Sequence, residues 1–181
     1  MKRLFALSAH GKDQPGIVAA LTRALFETGC NLEDSSMTLL KGDFAVLLLV
    51  SLPEGKPAQE LKTRLDPVAA QWGLTVSLRE LSPQEASTPL SSGLPHTLIV
   101  YGLDHPGIVC KVAQAAADLK VNITDLRTHV TQSGGKDLYS LVMEVDIPNQ
   151  AQVKAFRDRL DGLKKELSVE ISLNAADTDE L

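Results

Sequence analysis

The sequence lacks features that would assign it to several large classes of protein. Its longest apolar run, Phe44 to Val50, is far too short for a transmembrane helix, so we expect no membrane partner. Its two cysteines, Cys30 and Cys110, form no CxxC pair, so we expect no disulfide framework and a cytoplasmic, reducing compartment. Basic residues do not exceed acidic ones (18 against 23, net charge −5), which argues against direct nucleic-acid binding.

The motifs of common enzymes and metal sites are missing as well. The sequence has no Walker loop, no GxGxxG after a strand and no GxSxG elbow. Its four histidines are scattered and show no metal-ligand spacing. Because nothing suggests a nucleophile paired with a base, we expect no catalytic residues, no metal and no cofactor.

The strongest feature that is present is an internal repeat. Residues 13–34 read DQPGIVAALTRALFETGCNLED, and residues 104–125 read DHPGIVCKVAQAAADLKVNITD. Eight of these 22 positions are identical at a constant offset of 91. The repeat predicts two copies of one structural unit.

Hydrophobic periodicity predicts the order β-α-β-β-α-β in each copy, which is an α+β fold. We predict strands at 3–9, 35–41, 44–52, 74–80, 97–103, 125–132, 138–147 and 167–173, and helices at 15–28, 57–72, 106–119 and 149–165. The first unit then covers residues 1–80 and the second covers 96–173. Residues 81–95, rich in Ser, Pro and Gly, are interpreted as a linker, and 174–181 as an acidic tail.

The third strand of the first unit has two apolar faces. Its outward face carries Leu47 and Leu49. The final strands of the two units, 74–78 and 167–171, align at an offset of 93, and with this alignment the second unit has Ser140 and Val142 on the same face. Each exposed leucine forgoes about 2 kcal/mol of burial free energy. Either a loop or the linker covers this face, or it meets another protein or a second copy of the chain.

The repeated DxPGIV…NxxD motif marks a strand end, a turn and a helix start. Asp13 and Asp104 are candidate helix caps. A helix N-terminus offers unpaired N–H groups to a carboxylate, and nearby side-chain oxygens suit an ammonium group. The motif therefore fits a small zwitterionic ligand, although the same residues fit helix caps and tight turns equally well.

The duplicated βαββαβ pattern with these motifs resembles the ACT domain family over nearly the whole chain. That resemblance implies ferredoxin-like units, each with a four-stranded antiparallel sheet and helices on one face, that sense small molecules, often amino acids. Ligands in this family commonly lie where two ACT units meet edge to edge. The implied ligand-binding residues are Gly11, Asp13, Pro15, Gly16 and Asn31 in the first unit, and Gly102, Asp104, Pro106, Gly107 and Asn122 in the second.

The resemblance also implies a function. Serine-sensing members have a His at the position of Gly11 and Gly102 and an Asn at that of Asp13 and Asp104, so glycine is a better candidate ligand here than serine. The layout is similar to tandem ACT regulators that repress glycine cleavage genes by contacting a DNA-binding activator. The alternatives are a regulatory subunit of an amino-acid biosynthetic enzyme, and an ACT pair related to those of formyltetrahydrofolate deformylases or phosphoserine phosphatases.

Overall fold

A computed structural model describes residues 2–87 and 93–176 of the chain. The chain divides into two compact units, Met1–Thr88 and Pro89–Leu181. Each has its own hydrophobic core.

The first unit has the predicted βαββαβ order followed by one short helix. Its elements are β1 (Arg3–Lys12), α1 (Ile17–Glu27), β2 (Asn31–Leu40), β3 (Asp43–Leu52), α2 (Ala58–Trp72), β4 (Thr75–Glu80) and α3 (Pro83–Ser87). The strands form one antiparallel sheet in the order β2-β3-β1-β4.

The second unit repeats this topology. Its elements are β5 (Leu94–Leu103), α4 (Ile108–Asp118), β6 (Asn122–Ser133), β7 (Lys136–Ile147), α5 (Gln150–Leu167) and β8 (Val169–Ala175). Its sheet is antiparallel in the order β6-β7-β5-β8. The predicted fold class is therefore confirmed.

One face of each sheet packs against the two helices to form the core. Alternate residues of β1 and β3 are buried, and in α1 the buried positions recur with helical spacing. The third strand buries one face in both units: Val46, Leu48, Val50 and Leu52 in the first, and Leu141, Met143, Val145 and Ile147 in the second, where Tyr139 on the same face is only partly buried.

The helix starts differ from the prediction. Asp13 and Asp104 do not cap α1 and α4, because the N-cap residues are Gly16 and Gly107 and neither helix has a side-chain cap. Both glycines adopt a positive φ, +106° and +103°, which a residue with a Cβ rarely adopts. The N-terminal N–H groups of both helices therefore receive no hydrogen bond from a capping side chain.

The repeat alignment in the third strand also needs correction. In the strand pairing, Leu7 lies opposite Leu48, and its repeat equivalent Leu98 lies opposite Met143, so the offset after the hairpin is 95 rather than 93. The β6–β7 hairpin is longer because each of its strands has two more residues than its counterpart. Leu47 therefore corresponds to Val142, and Leu49 to Glu144.

The ends of the units extend beyond the predicted bounds. Helix α3 lies within the segment predicted as a linker, and β5 begins at Leu94, also inside that segment. Strand β8 continues to Ala175, two residues into the predicted tail. No helix in the described part of the chain is both long and apolar enough to cross a membrane.

Candidate functional site

The two loops that follow β1 and β5 carry most of the predicted ligand-binding residues. Each loop is joined to the neighbouring hairpin by one backbone hydrogen bond. The N–H of Asp13 donates to the carbonyl of Gly42 at 2.8 Å, and that of Asp104 donates to the carbonyl of Asp137 at 2.9 Å. This bond holds each loop at the end of an interior strand of its sheet, directly before the helix N-terminus.

Each of these loops carries one exposed aspartate. Among the described residues, the side chains of Asp13 and Asp104 make no hydrogen bond and no ion pair, and both residues are exposed. An uncapped helix N-terminus and a free carboxylate therefore lie within four residues of each other in both units. This is the pairing of partial positive and full negative charge that a zwitterion requires.

Gly11 and Gly102 have a packing role that does not depend on any ligand. A Cβ on Gly11 would lie 2.9 Å from the carbonyl oxygen of Gly73 and from a side-chain methyl of Leu74. A Cβ on Gly102 would lie 2.7 Å from Val169. Only glycine lets the start of β4 or β8 approach the neighbouring strand this closely.

The two helix N-termini differ in what lies next to them. A Cβ on Gly16 would lie 2.8 Å from Cη2 of Trp72, whereas a Cβ on Gly107 would have no atom within 4 Å. The residue equivalent to Trp72 in the second unit is Leu167, because Gly73 and Ser168 end α2 and α5 in the same left-handed conformation. The indole ring thus fills space in the first unit that stays open in the second.

A shallow cavity of about 450 Å³ surrounds the N-terminus of α4. Asp104, His105, Pro106 and Gly107 form one side of it, and Tyr139 of β7 another. The exposed Cys110 lies in the first turn of the helix and also lines the cavity. Three of the five residues predicted for the second unit, Asp104, Pro106 and Gly107, therefore line one cavity, and Gly102 lies two residues before Asp104.

His105 connects this loop to the end of α5. Its Nε2 lies 2.9 Å from the carbonyl oxygen of Leu167, and its Nδ1 lies 3.1 Å from that of Pro106. Two acceptors are best satisfied when both ring nitrogens carry a proton. The pKa of His105 is accordingly raised above its ordinary value, chiefly by the bond to Leu167, then by the bond to Pro106, with a smaller contribution from the charge of Asp104.

The pKa of Tyr139 is also shifted by groups around this cavity. Partial burial raises the pKa of its phenol, and the negative charge of Asp104 raises it further, against a hydrogen bond with Thr128. The phenol therefore stays protonated and can donate a hydrogen bond at the cavity. The equivalent residue in the first unit is Phe44, which is buried and has no hydroxyl.

The two predicted asparagines lie at the opposite end of each sheet. Asn31 pairs with Ser51, beside the start of β1, whereas Asp13 follows the end of β1. Ten strand residues separate these ends by about 30 Å. Asn122 stands in the same relation to Asp104. Within one unit the structure does not bring either asparagine to its loop.

Asn31 instead belongs to a local polar cluster. Its side-chain amide donates to Glu33 Oε1 at 3.2 Å, and the hydroxyl of Ser51 donates to the same oxygen. These two bonds, that of Ser51 above all, lower the pKa of Glu33. The repeated N-x-x-D spacing also spans a register shift at the start of both β2 and β6, which gives this part of the motif a structural role.

Sequence reasoning did not find His105, Tyr139 or Trp72. Gln14 takes the place of His105 in the first unit, so a search for identical repeat positions passes over it. Tyr139 and Trp72 come from elements distant in sequence, and only the folded chain brings them to the loops. Within residues 2–87 and 93–176, no three His, Cys, Asp or Glu side chains cluster as metal ligands.

The face of the first sheet that faces away from the helices carries Leu47 and Leu49. Leu47 is 54% exposed, and Leu49 is partly buried. The corresponding face of the second sheet also exposes apolar side chains, Ile99, Tyr101 and Val142. The predicted contrast between the two units is therefore smaller than the sequence alignment suggested.

Comparison with known proteins gives the family. The ACT domain profile matches residues 3–79. A UPF0237 protein of Methanocaldococcus jannaschii is 32% identical over 71 residues, which are 39% of this chain and 79% of that protein. The glycine cleavage system transcriptional repressor of Escherichia coli is 42% identical over 45 residues, which are 25% of this chain and 24% of the repressor. The chain thus spans about a quarter of that repressor's length.

The fold comparison extends over both units. The crystal structure of an unknown protein from Galdieria sulphuraria superposes with a TM-score of 0.84 at 29% identity, covering 97% of this chain and 99% of that one. The family match therefore falls on the first unit, and the structural match includes the second, which has the same topology. The chain belongs to the ACT domain family.

Proposed function

We propose that this chain is a non-catalytic regulator that binds a small amino acid, glycine in the first instance, and contacts a regulatory protein. The observation that carries the proposal is the open N-terminus of α4, with the free carboxylate of Asp104 beside it. The ligand's carboxylate accepts hydrogen bonds from the first N–H groups of α4, and its ammonium group donates to Asp104.

The cavity also favours a ligand with a small side chain. The loop backbone at Gly107 is accessible because nothing lies within 4 Å of the position of a Cβ there. The phenol of Tyr139 and the ring of His105 both line the cavity and limit its space. A ligand without a side chain, such as glycine, is short enough to place its carboxylate at the N-terminus of α4 and its ammonium group at Asp104.

The second unit is the better candidate for ligand binding. In the first unit Trp72 lies against Gly16, and no histidine or tyrosine takes the places of His105 and Tyr139. We therefore assign ligand binding to Asp104, Pro106 and Gly107, and a weaker or absent response to Asp13, Pro15 and Gly16.

Asn31 and Asn122 enter such a site only from another unit. Each lies about one sheet length from the loop of its own unit. An edge-to-edge pairing with a second copy of the chain, which the family resemblance implies, supplies the missing amide. Ligand binding and self-association are then coupled, since the ligand bridges both partners.

The regulated partner is, on this proposal, a DNA-binding activator of glycine cleavage genes. The name of the E. coli relative supports this, as do the net charge of −5 and the lack of an excess of basic residues, which favour repression through protein contact over DNA contact. The outward face around Leu47 and Leu49 is the proposed contact surface, because exposed apolar patches mark such sites.

Thermal unfolding against a panel of free amino acids tests ligand binding. A ligand at about 100 times its dissociation constant adds roughly 2.7 kcal/mol to the free energy of unfolding. For units of this size that raises the unfolding midpoint by several degrees. We expect glycine to raise the midpoint, Asp104→Asn to abolish the increase, and the matched variant Asp13→Asn to preserve it.

The other outcomes are equally informative. An increase that Asp13→Asn abolishes and Asp104→Asn preserves would place the site in the first unit and overturn the assignment to the second. If no amino acid raises the unfolding midpoint, the proposal of amino-acid sensing is overturned, and the loop residues have only a structural role in the turns.

A further inference from the structure

The first unit has a groove between helices α1 and α2. Helices α1 and α2 run antiparallel, with Gly16 and Trp72 at one end of the groove and Glu27 and Arg64 at the other. The groove has a volume of about 730 Å³ and is open to solvent along its length. It is about 16 Å long, the length of the 11-residue helix α1.

The second unit bridges the equivalent groove with an ion pair. Lys111 of α4 donates to Glu166 of α5 across the two helices. The residues at the same positions in the first unit are Ala20 and Gln71, which line the open groove and make no such bond. One fold thus occurs twice in this chain, with the groove bridged in one unit and open in the other.

The charge in the open groove is not balanced. Arg64 pairs with Glu27 across the groove, with Nη1 3.5 Å from Oε2. Arg23 lines the groove one turn from Glu27, but among the described residues it makes no ion pair and no hydrogen bond. The groove therefore has an uncompensated positive charge near its middle.

The walls of the groove suit a helix. On the α1 side, the short side chains of Ala19, Ala20 and Ala24 let another helix approach the backbone of α1 closely. On the α2 side, Pro67 has no N–H, so the carbonyl of Thr63 lacks the donor that an uninterrupted helix supplies. The indole of Trp72 provides an apolar surface at one end.

We propose that this groove binds an amphipathic α-helix of a partner protein, about three turns long, with its apolar face against the alanines and a carboxylate paired with Arg23. Charge complementarity selects an acidic helix over a basic one. This site is separate from the amino-acid site and does not depend on it, so either can fail without the other.

Trp72 is the only tryptophan of the chain, so its fluorescence reports on the groove alone. The probes are two Trp-free amphipathic peptides of about 15 residues, identical in their leucine face and differing only in glutamate or lysine on the polar face. We expect the acidic peptide to shift the emission of Trp72 in a saturable, salt-sensitive way, and the basic peptide to bind at least about tenfold more weakly.

Two variants locate the binding site. Ala20→Lys with Gln71→Glu introduces the ion pair of the second unit into the groove, and we expect it to abolish binding without lowering the unfolding midpoint. Arg23→Gln leaves the groove open and removes its free charge, and we expect affinity for the acidic peptide to fall about three- to fivefold.

Several results would overturn the proposal. These are equal binding of the two peptides, unchanged binding by the Ala20→Lys/Gln71→Glu variant, or no change in Trp72 emission at millimolar acidic peptide. A shift of Trp72 emission with chain concentration alone would identify the occupant as a second copy of the chain, and would equally overturn a partner helix.

Discussion

The ring of Trp72 lies so close to Gly16 that a Cβ on this glycine would be 2.8 Å from Cη2 of the indole. Gly107, at the same place in the second unit, has the same positive φ and no such neighbour. The two halves of the repeat therefore share a backbone conformation but differ in what packs against it. A Cβ at Gly107 would therefore cause backbone strain alone, whereas a Cβ at Gly16 would cause the same strain and a steric clash with Trp72.

Replacing each glycine with alanine tests this separation. Both Gly16→Ala and Gly107→Ala place a Cβ on a positive-φ residue, which costs about 1 to 2 kcal/mol. Gly16→Ala also forces Trp72 to move, so we expect it to lower the free energy of unfolding of its unit further than Gly107→Ala does. Urea denaturation of the two variants measures the difference.

A third variant assigns the cause of that difference. Trp72→Leu introduces the residue found at the equivalent position of the second unit, and it removes the clash. In the Trp72→Leu background, Gly16→Ala should cost about as much as Gly107→Ala. An equal cost of the two alanine variants in the wild-type background would contradict the close packing of Trp72 next to Gly16.

The sequence allowed the fold to be predicted because its evidence is local and occurs twice. The DxPGIV motif, the strand alternation around Leu48 and the glycines at helix ends each specify a short stretch of backbone. Gly29 follows the first helix with a φ of +73°, a left-handed conformation that glycine adopts readily. The repeat then supplied a second, independent example of each element.

The sequence was less informative about the sites, because they depend on contacts between distant elements. The packing of Trp72 on Gly16 joins residues in two different helices, and no periodicity encodes that contact. Asn31 is close to Asp13 in the motif, yet an intervening helix carries the chain to the other end of the sheet. The capping prediction was wrong because Gly16, three residues after Asp13, takes the N-cap position that Asp13 was expected to hold.

His105 makes the stability of the second unit depend on pH. Its pKa is raised in the folded state, mainly by the hydrogen bond to the carbonyl of Leu167, so the folded unit binds the proton more tightly than the unfolded chain does. This contribution is complete below the ordinary pKa of 6.5 and is lost as pH rises through the raised value. The wild-type chain should therefore lose stability over that range relative to His105→Gln.

The measurement is urea denaturation of both chains from below pH 6 to about pH 8, with the pKa of His105 followed by NMR. His129→Gln serves as the control, since His129 is an exposed histidine of β6 in the same unit. A pH dependence that His105→Gln leaves unchanged would show that the two carbonyl contacts do not hold the proton.

The outward face of the first sheet should mediate association. Leu47→Asp combined with Leu49→Asp places two charges on this face, and we expect weaker self-association or weaker partner binding, measured by analytical ultracentrifugation. The single change Leu47→Asp should alter stability by no more than about 0.5 kcal/mol, because Leu47 is already largely exposed.

Two neighbouring positions serve as controls for this experiment. Leu48→Asp, on the buried face of the same strand, should prevent folding of the unit. Val142→Asp makes the corresponding change on the second sheet. If the double leucine variant leaves both self-association and partner binding unchanged, the outward face of the first sheet is not an interface.

Lys120 occupies the position at which Gly29 ends the equivalent helix, and it has a φ of +56°. A side chain in this left-handed conformation costs roughly 1 kcal/mol, which glycine does not incur. We therefore expect Lys120→Gly to stabilise the second unit by about 0.5 to 1 kcal/mol, since part of the gain is offset by the greater freedom of glycine in the unfolded chain.

Lys154→Gly, the same substitution in the middle of α5, should destabilise the unit by about 1 kcal/mol. Opposite signs for the two variants in urea denaturation would identify backbone conformation, not the lost lysine charge, as the cause, whereas destabilisation by both would contradict it.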